Sequence, residues 1–277
     1  MTNNDASATR TTTQALKALR LPSMSHSWQE LATEATEHTW THERFLAALC
    51  ALELTERSNR RLAAALRLAR LPPGKRLDSF ECGLVPGLSR QRVTALCAGD
   101  WVRGHGNCLL FGGSGTGKTH IAAALGYGLI EAGHTVLFLR TNDLVQRLQA
   151  ARRDLALPAL LTKLDRIDCL ILDDLGYVRK DQAETSILFE LIAERYEHRS
   201  LIITCDRPFA DWTSIFADQT MTVAAIDRLV HHATILEFGS ESYRKREAAA
   251  RTQHELTAPS APAVAKPSSP KRTPRER

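Results

Sequence analysis

The chain has 277 residues, 43% hydrophobic and 24% charged, with a net charge of +5, so it can bury a sizeable core without disulfide or metal staples. No stretch approaches the roughly 20 apolar residues of a membrane span, and the polar, Thr-rich residues 1–13 lack the apolar segment of a secretory signal, so a cytoplasmic address is expected. Lys/Arg against Asp/Glu is 14 to 10 over residues 1–104, 17 to 20 over 105–256 and 5 to 1 over 257–277, a distribution that suits an acidic partner, nucleic acid above all, for the flanks rather than the centre.

In chain order, residues 1–13 are expected to be disordered and 14–76 to form a small all-α domain. Leu16, Leu19 and Leu21 open one helix, Trp28 and Leu31 mark a second, and residues 41–70 run without Gly or Pro. At about 1.5 Å per residue that third run reaches about 45 Å. Pro72, Pro73 and Gly74 stop it, residues 77–85 form a connector, and a further helix is expected near 88–98. From Asn107 onward short apolar runs alternate with helical patterns, which predicts a parallel sheet wrapped by helices over a domain of residues 77–256. Strands are predicted at 108–111, 135–139, 169–172, 201–204 and 234–238, with helices near 118–132, 142–152, 182–196 and 226–230. Each strand is apolar throughout, as expected when both sheet faces are covered. The Pro-, Ala- and Lys/Arg-rich residues 257–277 are expected to be a disordered basic tail.

Six cysteines, none at zinc-knuckle or redox spacing, read as buried apolar residues. The histidines are scattered, and the adjacent His231 and His232 are expected to point in different directions along a helix or strand.

Residues 112–119 read G-G-S-G-T-G-K-T, satisfying G-x-x-x-x-G-K-[ST] directly after an apolar strand and before a helical pattern. Gly112, Gly113, Ser114, Gly115, Thr116 and Gly117 let backbone N–H groups turn inward on a polyphosphate, and the helix that follows offers its positive end. Lys118 is expected to pair with the phosphates and Thr119 to hold Mg²⁺; His120 completes the candidate nucleotide-binding run. Residues 168–174 read D-C-L-I-L-D-D, an apolar strand delivering Asp173 to the metal and Asp174 to the attacking water at the carboxyl end of the sheet. After the next strand, Asp206 in T-C-D-R-P-F is a weaker candidate for phosphate contact, equally readable as a turn. Lys118, Asp173 and Asp174 form the candidate catalytic set that the motifs give, for an ATPase using ATP and Mg²⁺. A small-molecule kinase would need a lid or acceptor motif, and none stands out.

Arg57, Arg60, Arg61, Arg67 and Arg70 fall in a stretch without an acidic residue, with Leu62 and Leu66 on the opposite helix face. Such a stripe suits double-stranded DNA through its phosphates, without base reading; a solvated helix face is the alternative.

The order of motifs resembles the IstB-type ATP-binding proteins of insertion sequences, relatives of the DnaC-type helicase loaders in the AAA+ class. The likeness runs from about residue 16 to 246. It is carried by the P-loop with His120, by L-I-L-D-D-L-G at 170–176, D-R-P-F-A-D-W at 206–212, D-R-L-V-H-H-A at 227–233 and E-S-Y-R at 241–244. The resemblance implies a P-loop NTPase fold of the AAA+ class preceded by a helical domain. It also implies assembly as a homo-oligomer on DNA and help to the transposase of the same insertion sequence, or alternatively the loading of a replicative helicase in DNA replication. On the same likeness Arg228 looks like the finger inserted into a neighbouring subunit's site and Arg244 like an auxiliary phosphate sensor. Gly113 stands where Pro is common, Asp174 where Glu is frequent, and Cys205-Asp206 where relatives show Ser-Asn.

Overall fold

The computed structural model describes residues 3–84, 88–176 and 178–239; Arg244 and the basic tail lie outside them. Three helices open the chain: α1 (Asn3–Ala18), α2 (Pro22–Glu37) and α3 (His42–Ala69). The polar start expected to be disordered thus enters a helix at Asn3. No Gly or Pro interrupts residues 1–20, and the Thr11 and Thr13 hydroxyls donate back to the carbonyls of Ser7 and Thr9. α1 is then tied to α2 by the Trp28 indole, which donates to Thr13 Oγ1 at 3.2 Å.

At the entrance to α2, Pro22 stands at the first helical position, where its missing N–H costs nothing. The next two amides, Ser23 N and Met24 N, donate to the buried Glu53 carboxylate of α3 at 2.8 and 3.2 Å. α3 begins on a Thr41 cap, and its far end leaves the bundle: Leu62, Ala65, Leu66 and Ala69 pack into the same core as the sheet. The leucine face read from sequence therefore joins the helical segment to the α/β body.

That body continues through short 3₁₀ turns at Leu77–Ser79 and Cys82–Leu84 to α4 (Arg90–Cys97) and α5 (Asp100–Arg103). It then alternates β1 (Asn107–Phe111), α6 (Lys118–Glu131), β2 (Val136–Arg140), α7 (Thr141–Arg153), α8 (Leu157–Asp165), β3 (Cys169–Asp173), α9 (Gln182–Arg195), β4 (Ser200–Cys205), α10 (Gln219–Val230) and β5 (Ala233–Glu237). The five strands pair in parallel in the order β2-β3-β4-β1-β5. Alternation explains the uniformly apolar strands. Leu109, Leu170, Leu172, Leu201 and Ile203 face a core shared with α7, α9 and α10, while Cys108, Leu110, Ile171 and Ile202 face one shared with α6 and the end of α3.

Besides α1 and the short α5, two helices of the α/β body depart from expectation. α8 fell in a stretch given no element, and α10 begins at Gln219 on an Asp218 cap whose carboxylate accepts from Met221 N. The cysteines also divide: Cys108, Cys169 and Cys205 are buried, whereas Cys50 is exposed. Burial pushes the Cys108 thiol up to about 12 and that of Cys205 to about 11, as for packing groups rather than nucleophiles. Among the described residues no helix is long and apolar enough to cross a membrane.

Candidate functional site

β1 ends at Phe111 and the chain turns at once into the glycine run, because α6 must start beside the strand it left. Gly112 has φ +148° and Gly117 φ +101°, backbone that side-chain-bearing residues rarely adopt. Space is equally tight. A Cβ at Gly112 would meet Phe238 O at 2.6 Å, and one at Gly117 would meet the Phe80 ring at 2.8 Å. The result is a loop of bare backbone leading into the amino end of α6, the geometry that receives phosphate oxygens.

Lys118 is 6% exposed, and its Nζ donates to Gly112 O at 2.6 Å and Gly113 O at 2.8 Å, so the ammonium is held against the loop. Burial pulls it below the usual lysine range, opposed first by the charge of Asp174 and then by that of Asp206. Three strand ends therefore converge on one charge: the P-loop after β1, Asp173 and Asp174 at and after β3, and Asp206 after β4.

β4 lies between the strand carrying the P-loop and the strand carrying the acids, and this topology creates the centre of the site. Thr204 on β4 is fully buried. Its hydroxyl donates to Asp173 Oδ1 at 2.6 Å and accepts from Asp174 N at 2.9 Å. From the other side Thr119 Oγ1 donates to the same Asp173 oxygen at 2.9 Å. The buried Thr141 hydroxyl donates to Asp173 O at 2.9 Å and fixes the strand end. Burial raises the Asp173 carboxyl above the usual range, with the Thr204 hydrogen bond as the chief opposing influence. Asp174 follows with φ +59°; this left-handed turn leaves its side chain exposed beside a buried neighbour. Thr204 was not singled out from the sequence, and only the strand order reveals it.

The other candidates are placed less uniformly. His120 turns away from the cradle: its Nε2 lies 2.9 Å from Arg76 O and 3.3 Å from Ser79 Oγ, and its ring meets Phe80 edge-on. It braces the connector that brings Phe80 over Gly117. Asp206 is exposed, and Gly176 leaves room for its carboxylate, since an added Cβ would collide with Oδ1. The D-R-P-F-A-D-W stretch is anchored by Trp212, fully buried against Phe111, Phe209 and Phe216. Arg228 is half-buried on α10, its guanidinium 5.1 Å over the Phe189 ring and donating to Ala224 O at 2.9 Å. Arg244 lies outside the described residues.

The five arginines of α3 divide in two. Arg57 and Arg60 turn to the buried Glu53 carboxylate at 3.5 and 3.2 Å, and so help hold α2 on α3. Arg61, Arg67 and Arg70 are exposed. A cleft of about 840 Å³ opens between α1, α2 and α3, with Lys17, Arg20, Arg57, Arg60 and Arg61 among its walls. The basic surface is therefore wider than one helix face, because α1 brings cations to those of α3.

Across residues 13–251 the chain matches the family described as IstB-like ATP binding protein. It is 53% identical over 240 residues to a putative insertion sequence ATP-binding protein of Sinorhizobium fredii, covering 86% of this chain and 80% of that one. To the insertion sequence IS21 putative ATP-binding protein of Pseudomonas aeruginosa it is 36% identical over 232 residues, 84% and 88% of the two chains. Its fold is similar to the crystal structure of the DnaC helicase loader, with a TM-score of 0.52 and 20% identity over 60% of this chain and 98% of that one. It is also similar to AMPPCP-bound DnaA from Aquifex aeolicus, with a TM-score of 0.53 and 17% identity over 68% and 57%. The architecture is that of a P-loop AAA+ protein with a helical amino-terminal region.

Proposed function

The chain belongs to the IstB-like ATP-binding protein family, and we propose that it is a cytoplasmic, Mg²⁺-dependent ATPase that assembles as a homo-oligomer on double-stranded DNA and assists the transposase of its insertion sequence. One observation carries the catalytic part: Thr119, Asp173 and Thr204 meet at a single carboxylate oxygen beside a buried Lys118.

These residues fit Mg·ATP. The cradle of residues 112–117 presents backbone where any Cβ at its two ends would collide, and Lys118 sits in it with its ammonium on the carbonyls of Gly112 and Gly113. Thr119 and Asp173 supply the hard oxygen donors that magnesium selects. Bound Mg²⁺ would neutralise charge on the phosphate oxygens. Lys118 exchanges its carbonyl partners for phosphate oxygens, and the exposed Asp174 carboxylate orients and deprotonates water. Thr204 ties the strand end together, its hydroxyl hydrogen on the Asp173 carboxylate and its oxygen on the Asp174 backbone N–H. Asp206 adds a third carboxylate near Lys118, which suits a water contact better than a phosphate contact.

Arg228 sits on α10 with its guanidinium over Phe189 of its own α9, so its role as a finger for a neighbour's phosphates rests on the family likeness and requires that contact to be released. Arg61, Arg67 and Arg70, with Lys17 and Arg20, form the candidate DNA phosphate surface. The test is to measure ATP turnover with and without duplex DNA, for Lys118→Ala and Arg228→Ala alone and mixed. Each variant alone should be nearly inactive, and mixing should restore turnover, because one supplies an intact cradle and the other an intact finger. No recovery, together with full activity of Arg228→Ala alone, would remove the finger role. Capture of a replicative helicase but no transposase by the full chain would move the reading to a helicase loader.

A further inference from the structure

His231 and His232, read from sequence as diverging, fall in the turn between α10 and β5, and their ring centroids lie 4.0 Å apart. A helix or strand would have separated them; the turn does not. Facing them is the turn after α9. There the Tyr196 hydroxyl is 2.7 Å from His231 Nδ1 and Glu197 Oε1 is 3.8 Å from the same nitrogen. One ligand atom each from Glu197, His231 and His232 lies within 4.8 Å of the others, and all three residues are exposed. Two imidazoles and a carboxylate with an open fourth position form a donor set for zinc-class cations. Magnesium prefers all-oxygen surroundings, so this set differs in kind from Thr119 and Asp173.

We propose that Glu197, His231 and His232 form a surface site for a zinc-class divalent cation, a second metal position independent of the nucleotide site. Besides the Tyr196–His231 contact, each turn is anchored by its own backbone hydrogen bonds. On the α9 side the buried Arg195 donates to the carbonyls of Leu164, Ile167 and Ser200 at 3.0, 2.9 and 3.0 Å, while Arg195 O accepts from His198 N and Arg199 N. Glu197, at φ +59°, is turned back toward α10 by this hairpin-like exit. On the other side His232 O accepts from Asn107 N at 2.9 Å, and the Asn107 side chain joins Leu229 O to Leu201 N. The backbone is thus fixed before any ion arrives, and only side-chain rotation is needed to converge the donors. The Tyr196 hydroxyl holds the His231 ring through Nδ1 and leaves Nε2 as the nitrogen to face an ion, the arrangement in which outer partners orient ligating histidines. A bound ion would join the end of α9 to the end of α10, three residues after Arg228.

The experiment uses the full chain, stripped with chelator and free of nucleotide and Mg²⁺, titrated with Zn²⁺ by calorimetry and with Co²⁺ by visible absorption. Wild type and Asp173→Asn should each take up one equivalent with the absorption of a low-coordinate cobalt site. Glu197→Gln should bind at least about ten-fold more weakly, and the His231→Ala/His232→Ala pair should lose that equivalent. His105→Ala, at another exposed histidine, should match wild type in metal uptake, and metal-free melting curves should show that each variant is folded. His232→Asn provides a milder variant should the double replacement unfold. Binding by wild type no tighter than by the double variant or His232→Asn, or a loss as large in His105→Ala, would overturn the site.

Discussion

Replacing Thr204 with Val deletes one hydroxyl at nearly constant volume, at the junction of the two candidate acids. That hydroxyl donates to Asp173 Oδ1 at 2.6 Å and accepts from Asp174 N at 2.9 Å in a fully buried position. A hydrogen bond to a charged group contributes roughly 1.5–3 kcal/mol, and a buried N–H left unpaired costs about 1 kcal/mol or more. Thr119 still donates to Asp173, so a net loss on the order of 2–3 kcal/mol is reasonable. For a domain of this size each kcal/mol shifts Tm by about 2–4 °C, giving a drop of roughly 5–10 °C. Asp173 also loses the chief interaction that offsets its burial, so its proton is held to higher pH and the acid limb of ATP turnover moves upward. Melting curves and a pH profile of kcat/KM test both effects, with Thr204→Ser as a control that keeps the hydroxyl. A Val variant that melts with wild type and keeps the same acid limb would refute the bridging role.

Asp174→Ala should keep nucleotide binding while turnover falls by about 10²–10⁴, the usual share of a positioned base; equal turnover would strike catalysis from this residue. Because the Asp173 carboxyl is raised in the folded chain, folding favours its protonated form. That stabilisation is present below the ordinary carboxylate range and is lost as pH rises through the raised value. Metal needs the ionised form, so the Tm increase produced by Mg²⁺ should grow with pH over that window and vanish in Asp173→Asn, as thermal melts at fixed metal would report. Arg61→Ala/Arg67→Ala should lower the slope of log affinity for duplex DNA against log salt by about 2, near 0.9 per lost phosphate contact. An unchanged slope would place the DNA surface elsewhere.

Where chemistry is local, the sequence was sufficient. The P-loop is one strand, one turn and one helix start, so its spacing reveals both the fold and the position of Lys118. Asp173 and Asp174 follow similarly from an apolar run ending in acids, and the observed strands begin and end within a residue or so of expectation because core strands are apolar on both faces. Long-range features were hidden. Thr204 matters because β4 inserts between β1 and β3, an order that no local pattern encodes. Arg57 and Arg60 looked free for phosphate because Glu53 is offset along α3, yet it is buried and draws both. His120 sits in the motif but turns to a connector over forty residues earlier in the chain. α8 starts with Pro158 in its first turn, and its short amphipathic stretch carries no element in the sequence reading.

The proposed function requires that Lys118 in the glycine loop, together with Thr119 and Asp173, receives Mg·ATP. Equilibrium binding of a fluorescent ATP analogue with Mg²⁺, compared between the full chain and a folded Lys118→Ala variant, tests it most directly. Wild type should bind saturably at or below millimolar nucleotide and the variant should not; no binding by wild type, or equal binding by both, would rule out this nucleotide site.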